Sequence, residues 1–366
     1  MKQDYEAALT QQLAQIGPLD QRAMEEAQRR WDSIAHPLNS LGLLERDIVH
    51  IAGITGSADM DLSKKAVVVM CADNGVVAQG VTQTGQDVTA IVTENMSKGD
   101  TSVCCMSRVA GAEVIPVDIG VAKPVTGARI RQKCVRRGTA DMTQGPAMTR
   151  EEAAQAVMTG LELVGELKEA GYRILATGEM GIGNTTTTAA VAAALLGRSP
   201  EETVGRGAGL SDGGLVRKRR AVAAALAVNQ PDPTDPMDVL CKVGGLDIAA
   251  MTGFYLGCAF QKLPVLLDGA ISCAAALCAV RLCPWAEKSL LASHRPAEPC
   301  GQLLLDALGL EPVLDAGLRL GEGTGAAAAM PLLDMALSVY GEMHTFGGLG
   351  IPAYRADGRS PEEGEL

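Results

Sequence analysis

Short apolar runs of strand length recur along this chain, separated by longer segments of helical period, and each run stops on a polar residue. KAVVVMCADNG predicts a buried strand over 66–71 ending on Asp73, and AEVIPVDIG a second over 114–117 ending on Asp118. A third, over 174–176, opens GYRILATGEMGIGNTTTTAAVAAALL and gives way to Gly178 and Glu179. LPVLLDG predicts a strand ending on Asp268, and SLLASH one ending near His294. Between them the pattern predicts helices over 88–96, 102–110, 149–170, 246–260 and 271–282, with Glu151 and Glu152 in the first turn of the third. Residues 1–50 read as polar and helical, with an amphipathic stretch over 20–31 entered through Gly17-Pro18. The segment 231–236 is a proline-punctuated turn, and the tail after Pro352 is polar and expected to fray.

Alternation of strands and helices predicts an α/β fold with a parallel sheet. In open sheets of that kind, ligands bind outside the carboxyl ends of the strands. Asp73, Asp118, Glu179, Asp268 and His294 are therefore expected at one edge. At 366 residues the chain exceeds the ~250–300 at which one core stops growing, so a large domain with a smaller companion is expected. Hydrophobic residues make up 47% but aromatic ones only 3%, so the core is built from Ala, Val, Leu, Ile and Met, and base-stacking nucleic-acid platforms are disfavoured. A net charge of −11 argues against a phosphate backbone or an anionic membrane as partner, and no apolar run reaches spanning length. The N-terminus is too polar for a signal peptide, and the ten scattered cysteines contain no CxxC pair, so a reduced, cytoplasmic protein without a structural zinc site is expected.

The chemistry concentrates in glycine turns. Gly178, Gly181 and Gly183 lead from the third strand into an alanine-rich helix, with Asn184 and Thr185 at its N-cap position. A strand, a glycine turn and a capped helix suit an anion, because the first helical amides lack internal partners. The stretch lacks Gly-Lys-Ser/Thr and the GxGxxG spacing, so it is neither a P-loop nor a dinucleotide fingerprint. Glu179 inside it either has a catalytic task or caps and pairs elsewhere. Gly205, Gly207 and Gly209 precede a helix carrying Arg217 and Lys218, a second anion contact or a solvated cationic face. The irregular basic segment 121–150, with Arg129, Arg131, Lys133, Arg136 and Arg137, reads as a solvated face or a subunit contact. Glu322 lies in another glycine turn, LRLGEGTG, before a helix containing Pro331, which should bend it. Helix-end potential lowers the pKa of such a carboxylate and apolar walls raise it, which suits a general base.

In GEMGIGNTTTTAA, GRGAGLSDGGLVRK, KVGGLDIAAMTG, LLDGAISCAAAL, SHRPAEP and LRLGEGTGAAAAMPLLD the chain resembles the nicotinate-nucleotide:dimethylbenzimidazole phosphoribosyltransferase family over nearly its whole length. The resemblance implies a Rossmann-like catalytic domain over 61–335, with a parallel sheet flanked by helices. It also implies a small helical domain built from 1–60 and 336–366, and a homodimer. The implied reaction moves phosphoribose from nicotinate mononucleotide to a benzimidazole nitrogen with inversion, supplying the lower ligand of cobalamin-type corrinoids. Small-molecule substrates are the only ligands it implies, with no metal or organic cofactor.

On this resemblance Glu322 is the general base and Glu179 the second catalytic carboxylate. Gly181, Gly183, Asn184, Thr185, Thr186, Gly205, Gly207 and Lys218 hold the nucleotide and its phosphate. Asp73, Thr84, Gln86, Met180 and Leu320 face the base. Asn74 stands where many members have His, and Thr84-Gly85-Gln86 where many have Tyr-Pro-Gln, so a smaller or more polar acceptor, a substituted benzimidazole or adenine, is expected. A phenol-using relative within the family, a nucleoside phosphorylase-like enzyme and a non-catalytic nucleotide sensor are the alternatives. Two glycine-turn carboxylates argue against the last.

Overall fold

The structure, a computed structural model, describes residues 4–354. Most of the tail after Pro352 lies outside the described residues. Six strands form one parallel sheet: β1 (Lys65–Ala72), β2 (Ala112–Gly120), β3 (Arg131–Gln132), β4 (Ile174–Met180), β5 (Val265–Leu267) and β6 (Leu290–Ala292), in the order β3-β2-β1-β4-β5-β6. This is the Rossmann order, in which the chain builds outward from β1 and then restarts on its other side. The reversal leaves a crevice at the carboxyl ends of the strands.

The strands read as unbroken apolar runs because both faces of the sheet are covered. In β1, Ala66, Val68, Met70 and Ala72 enter one core while Val67, Val69 and Cys71 enter the other. Helices precede the sheet and then alternate with its strands: α1 (Tyr5–Leu13), α2 (Gln21–Ser33), α3 (Leu43–Thr55), α4 (Asp87–Lys98), α5 (Ser102–Val109), α6 (Arg150–Glu169), α7 (Asn184–Leu196) and α8 (Pro200–Thr203). They continue as α9 (Asp212–Asn229), α10 (Pro236–Val243), α11 (Leu246–Gln261), α12 (Ala270–Leu282), α13 (Pro299–Leu308), α14 (Thr324–Glu342) and α15 (Phe346–Leu349). Asp20 caps α2, and Thr149 and Glu152 form a reciprocal capping box on α6. The N-terminal helices meet α14: Trp31 sits edge-on to Tyr340 at 5.2 Å, and the Arg30 side chain donates to the Tyr340 carbonyl.

Several local expectations are corrected. Gly178 and Glu179 continue β4 rather than turning, because β4 stays paired with β1 through Met180. Asn184 and Thr185 lie inside α7, whose N-cap is Gly183 in the left-handed region (φ 97°). The Asn184 side chain is drawn away from the helix end by buried carboxylates. Part of the basic segment forms the edge strand β3, and three of its cations are paired internally: Arg137 with Asp118, Arg136 with Glu152 and Lys133 with Glu166. Pro331 lies inside α14, which continues through it.

The layer behind the sheet depends on close helix contact. Helix α11 is buried almost along its whole length and presses on α6. A Cβ on Gly253 would run into the Val157 carbonyl, and one on Gly160 into the Ala250 carbonyl. Gly253→Ala is expected to force the helices apart and to cost about 2–3 kcal/mol, read as a lower urea midpoint. An unchanged midpoint would mean that this interface has slack.

Candidate active site

A cleft of about 310 Å³ opens at the carboxyl ends of β4, β5 and β6. Its floor is Glu179 and Met180 at the end of β4, the turn Gly181-Ile182-Gly183 and the start of α7. One wall comes from Val81 to Thr84, another from Arg206 to Ala208 with Lys218 of α9, and a third from 318–322. Asp268, His294 and Glu298 close the remaining side. No Phe, Tyr or Trp lines it among the described residues.

Strand β4 and the glycine turn around Glu322 meet backbone to backbone. A Cβ at Gly178 would occupy the place of the Glu322 carbonyl, which is why β4 carries glycine there. Gly321, Glu322 and Gly323 are consecutive left-handed residues, at φ 89°, 63° and 92°. A glutamate in that region is strained by roughly 1–2 kcal/mol, so surrounding bonds must hold it. Asp268 does so. Its carboxylate accepts from the amides of Gly323 (3.0 Å), Gly325 (2.8 Å) and Ala326 (3.3 Å), capping α14 from the loop after β5. Burial pushes the Asp268 carboxyl up, opposed by His294 3.9 Å away and by those three amides.

Burial also raises the pKa of Glu322, opposed by the Val103 amide, which donates to Glu322 Oε2 at 3.4 Å. A carboxylate held in this way keeps enough basicity to accept a proton. Glu179 is pushed further, to about 8, first by burial and then by the charge of Asp247, against a bond from Asn184. Asn184 Nδ2 donates to Glu179 Oε2 and, at 3.1 Å, to Asp247 Oδ2.

The cationic side is built around Lys218, which is buried and donates to Thr185 Oγ1 at 2.7 Å. Burial lowers its pKa, and Glu298 opposes that. Glu298 Oε1 in turn accepts from the Gly207 amide at 2.9 Å, holding the glycine loop against the cleft. Gln83 bridges the mouth by donating to the carbonyls of Ala208 (3.2 Å) and Gly209.

Of the residues that the family resemblance assigned to the site, Glu179, Glu322, Gly181, Gly183, Asn184, Thr185, Gly207, Lys218, Thr84, Met180 and Leu320 line this one cleft. Four do not. Thr186 is fully buried in α7, and Gly205 lies against the Glu298 carboxylate. Asp73 is buried behind the turn and accepts from the Ala122 amide at 2.8 Å. Gln86 donates to the Asn74 carbonyl at 3.2 Å. The first amides of α7 are less free than the sequence suggests, since Asn184 and Thr186 donate to the carbonyls of Gly181 and Gly183. Sequence reasoning missed Glu298 in the cleft wall and Asp247 buried behind it. Their only signal was their place in SHRPAEP and KVGGLDIAAMTG.

Comparison with known proteins agrees over almost the whole chain. A family model described as "Phosphoribosyltransferase" matches residues 16–351. The nicotinate-nucleotide--dimethylbenzimidazole phosphoribosyltransferase of Acetivibrio thermocellus is 47% identical over 347 residues, 95% of this chain and 99% of its own. That of Ruminiclostridium cellulolyticum is 46% identical over 340 residues, 93% of this chain and 97% of its own. The crystal structure of CobT from Thermus thermophilus superposes with a TM-score of 0.86 at 41% identity, covering 90% of this chain and 99% of that one.

Replacing Asp268 by Ala strands three buried amides and frees the strained turn. At about 1–3 kcal/mol for each unsatisfied donor, Asp268→Ala should lose at least about 2 kcal/mol of stability, measured by urea unfolding at neutral pH. Wild-type stability would show that water satisfies those amides.

Proposed function

Because the chain belongs to this phosphoribosyltransferase family, we propose that it transfers phosphoribose from nicotinate mononucleotide to dimethylbenzimidazole or a related base, releasing nicotinate and forming the α-ribotide for a cobalamin-type lower ligand. The observation that carries this reading is the convergence of Glu322, from a glycine turn, and Glu179, from the end of β4, on a cleft that also holds Lys218.

Nicotinate mononucleotide joins a pyridinium nitrogen to C1′. In this reading the unprotonated azole nitrogen attacks C1′ from the face opposite the pyridine. The C1′–N bond breaks with its electron pair going to nicotinate, and the anomeric centre inverts. Glu322 takes the proton from the azole's other nitrogen as general base. Glu179 stabilises positive charge on the ribose once it is ionised. Lys218, Thr185 and the amides around Gly181, Gly183 and Gly207 hold the 5′-phosphate. Asn184 orients Glu179. Met180, Leu320 and Thr84 flank the base, while Thr186, Gly205, Asp73 and Gln86 support these walls from behind. The absence of an aromatic lining residue among those described favours an acceptor smaller or more polar than dimethylbenzimidazole as the second reading.

The working form is proposed to be a cytoplasmic homodimer, with 1–60 and 336–366 forming a small helical unit. Exposed Ile91, Val109 and Met335 supply apolar surface for such contacts. Light scattering should return twice the chain mass, and a single-chain mass would exclude the dimer.

Chromatography of nicotinate mononucleotide with dimethylbenzimidazole should show base-dependent nicotinate release. Glu322→Gln is expected to lower kcat by about 10²–10⁴-fold with little change in donor KM. Equal rates for both proteins would remove Glu322 from the role of base. With adenine added in the same reaction, a strong preference for dimethylbenzimidazole would sink the second reading.

A further inference from the structure

Glu179 is surrounded by acids. The charged groups acting on it are Asp247 on α11, Asp268 after β5 and Glu322 before α14. Asp247 is fully buried outside the cleft, with Asp73 as its own charged neighbour. Its Oδ1 accepts from the Ile248 amide at 3.0 Å. The backbone of Gly181 and Gly245 closes over the carboxylate, so that a Cβ on either would crowd its oxygens. The two carboxyls meet at one atom, since the same Asn184 nitrogen donates to an oxygen of each. Two buried carboxylates brought onto one donor cannot both remain ionised without a cation, and the pair retains a proton.

The proposed donor brings the missing cation. Its pyridinium nitrogen carries a positive charge at the C1′ bond that Glu179 is suited to face. We propose that Asp247 is a positioning residue for the transfer: with Glu179 it shares one proton across the Asn184 amide, and the donor's pyridinium drives that proton into solvent. The inference rests on the proposed donor. It makes Glu179 neutral while the cleft is empty and ionised only when positive charge is present to be stabilised. The balance is one carboxylic acid giving one carboxylate and one proton, with no covalent change.

The groups involved agree in direction. Burial and the Asp247 charge push Glu179 to about 8, and burial pushes Asp247 to about 6. Both directions favour a proton held by the pair in the empty cleft, where it is available for release.

Calorimetric titration of the full chain with nicotinate mononucleotide, without acceptor base and in buffers of different ionisation heat, counts released protons. At pH 7 the wild type is expected to release about one proton per donor bound, and Glu179→Gln and Asp247→Asn to release far less. No release by the wild type, or equal release by either variant, overturns the proposal. Carbon-13 labelling of carboxyl groups gives a readout independent of the donor. Glu179 should titrate near 8 in the wild type and fall toward the ordinary carboxylate range in Asp247→Asn. If that variant does not fold, Asp247→Ser is expected to lower the Glu179 midpoint in the same direction. A Glu179 midpoint unmoved by removal of the Asp247 charge overturns the proposal even if nicotinate mononucleotide does not bind. Failure of the donor alone, with the coupled titration intact, removes only the reading on which the release step rests.

Discussion

Where Gly178 lies under the Glu322 carbonyl, a strand and a turn far apart in sequence come within van der Waals reach, and the Asp268 carboxylate clamps the turn by three amides. Glu322 has a left-handed backbone that an isolated chain would abandon. The strain is offset because Asp268 satisfies the start of α14 and because glycine lets β4 approach. Much of the cleft depends on this junction. It sets Glu322 beside Glu179, and it defines the wall that carries Leu320.

The same junction explains why the site is acidic. Strand ends deliver Asp73, Glu179 and Asp268 to one edge, and α11 adds Asp247 behind them. Burial raises the pKa of each, and neighbouring acids add to the rise at Asp73, Glu179 and Asp247. An acidic pocket of this kind favours a cationic reacting group over an anionic one. The opposite wall carries the buried Lys218 and the glycine loop, which in the proposed reaction hold the phosphate. Glu298 between them compensates the buried ammonium and tethers the loop through Gly207. Opposite charge preferences are thereby separated across one cleft, matching a donor that is cationic at its reacting nitrogen and anionic at its phosphate.

Much of this was legible in the chain itself. Apolar runs such as 66–71 identified the central strands because a parallel sheet buried on both faces needs nearly continuous hydrophobic sequence. Glycines flanking Glu322 marked a turn that other residues cannot form at φ near +90°, and the polar residues at strand ends marked the functional edge. What tertiary structure alone decided were partnerships between distant segments. Asn184 reads as a helix cap by local propensity, but Glu179 and Asp247 claim its amide once β4 and α11 are packed together. Gly178 reads as part of a turn until Glu322, from the far end of the chain, explains why a strand needs glycine there. Basic residues of the segment before α6 read as a solvated face until Asp118, Glu152 and Glu166 arrive as partners. Periodicity and turn chemistry are local and survive in one dimension, whereas burial of charge and the pairing that compensates it exist only after the chain has folded.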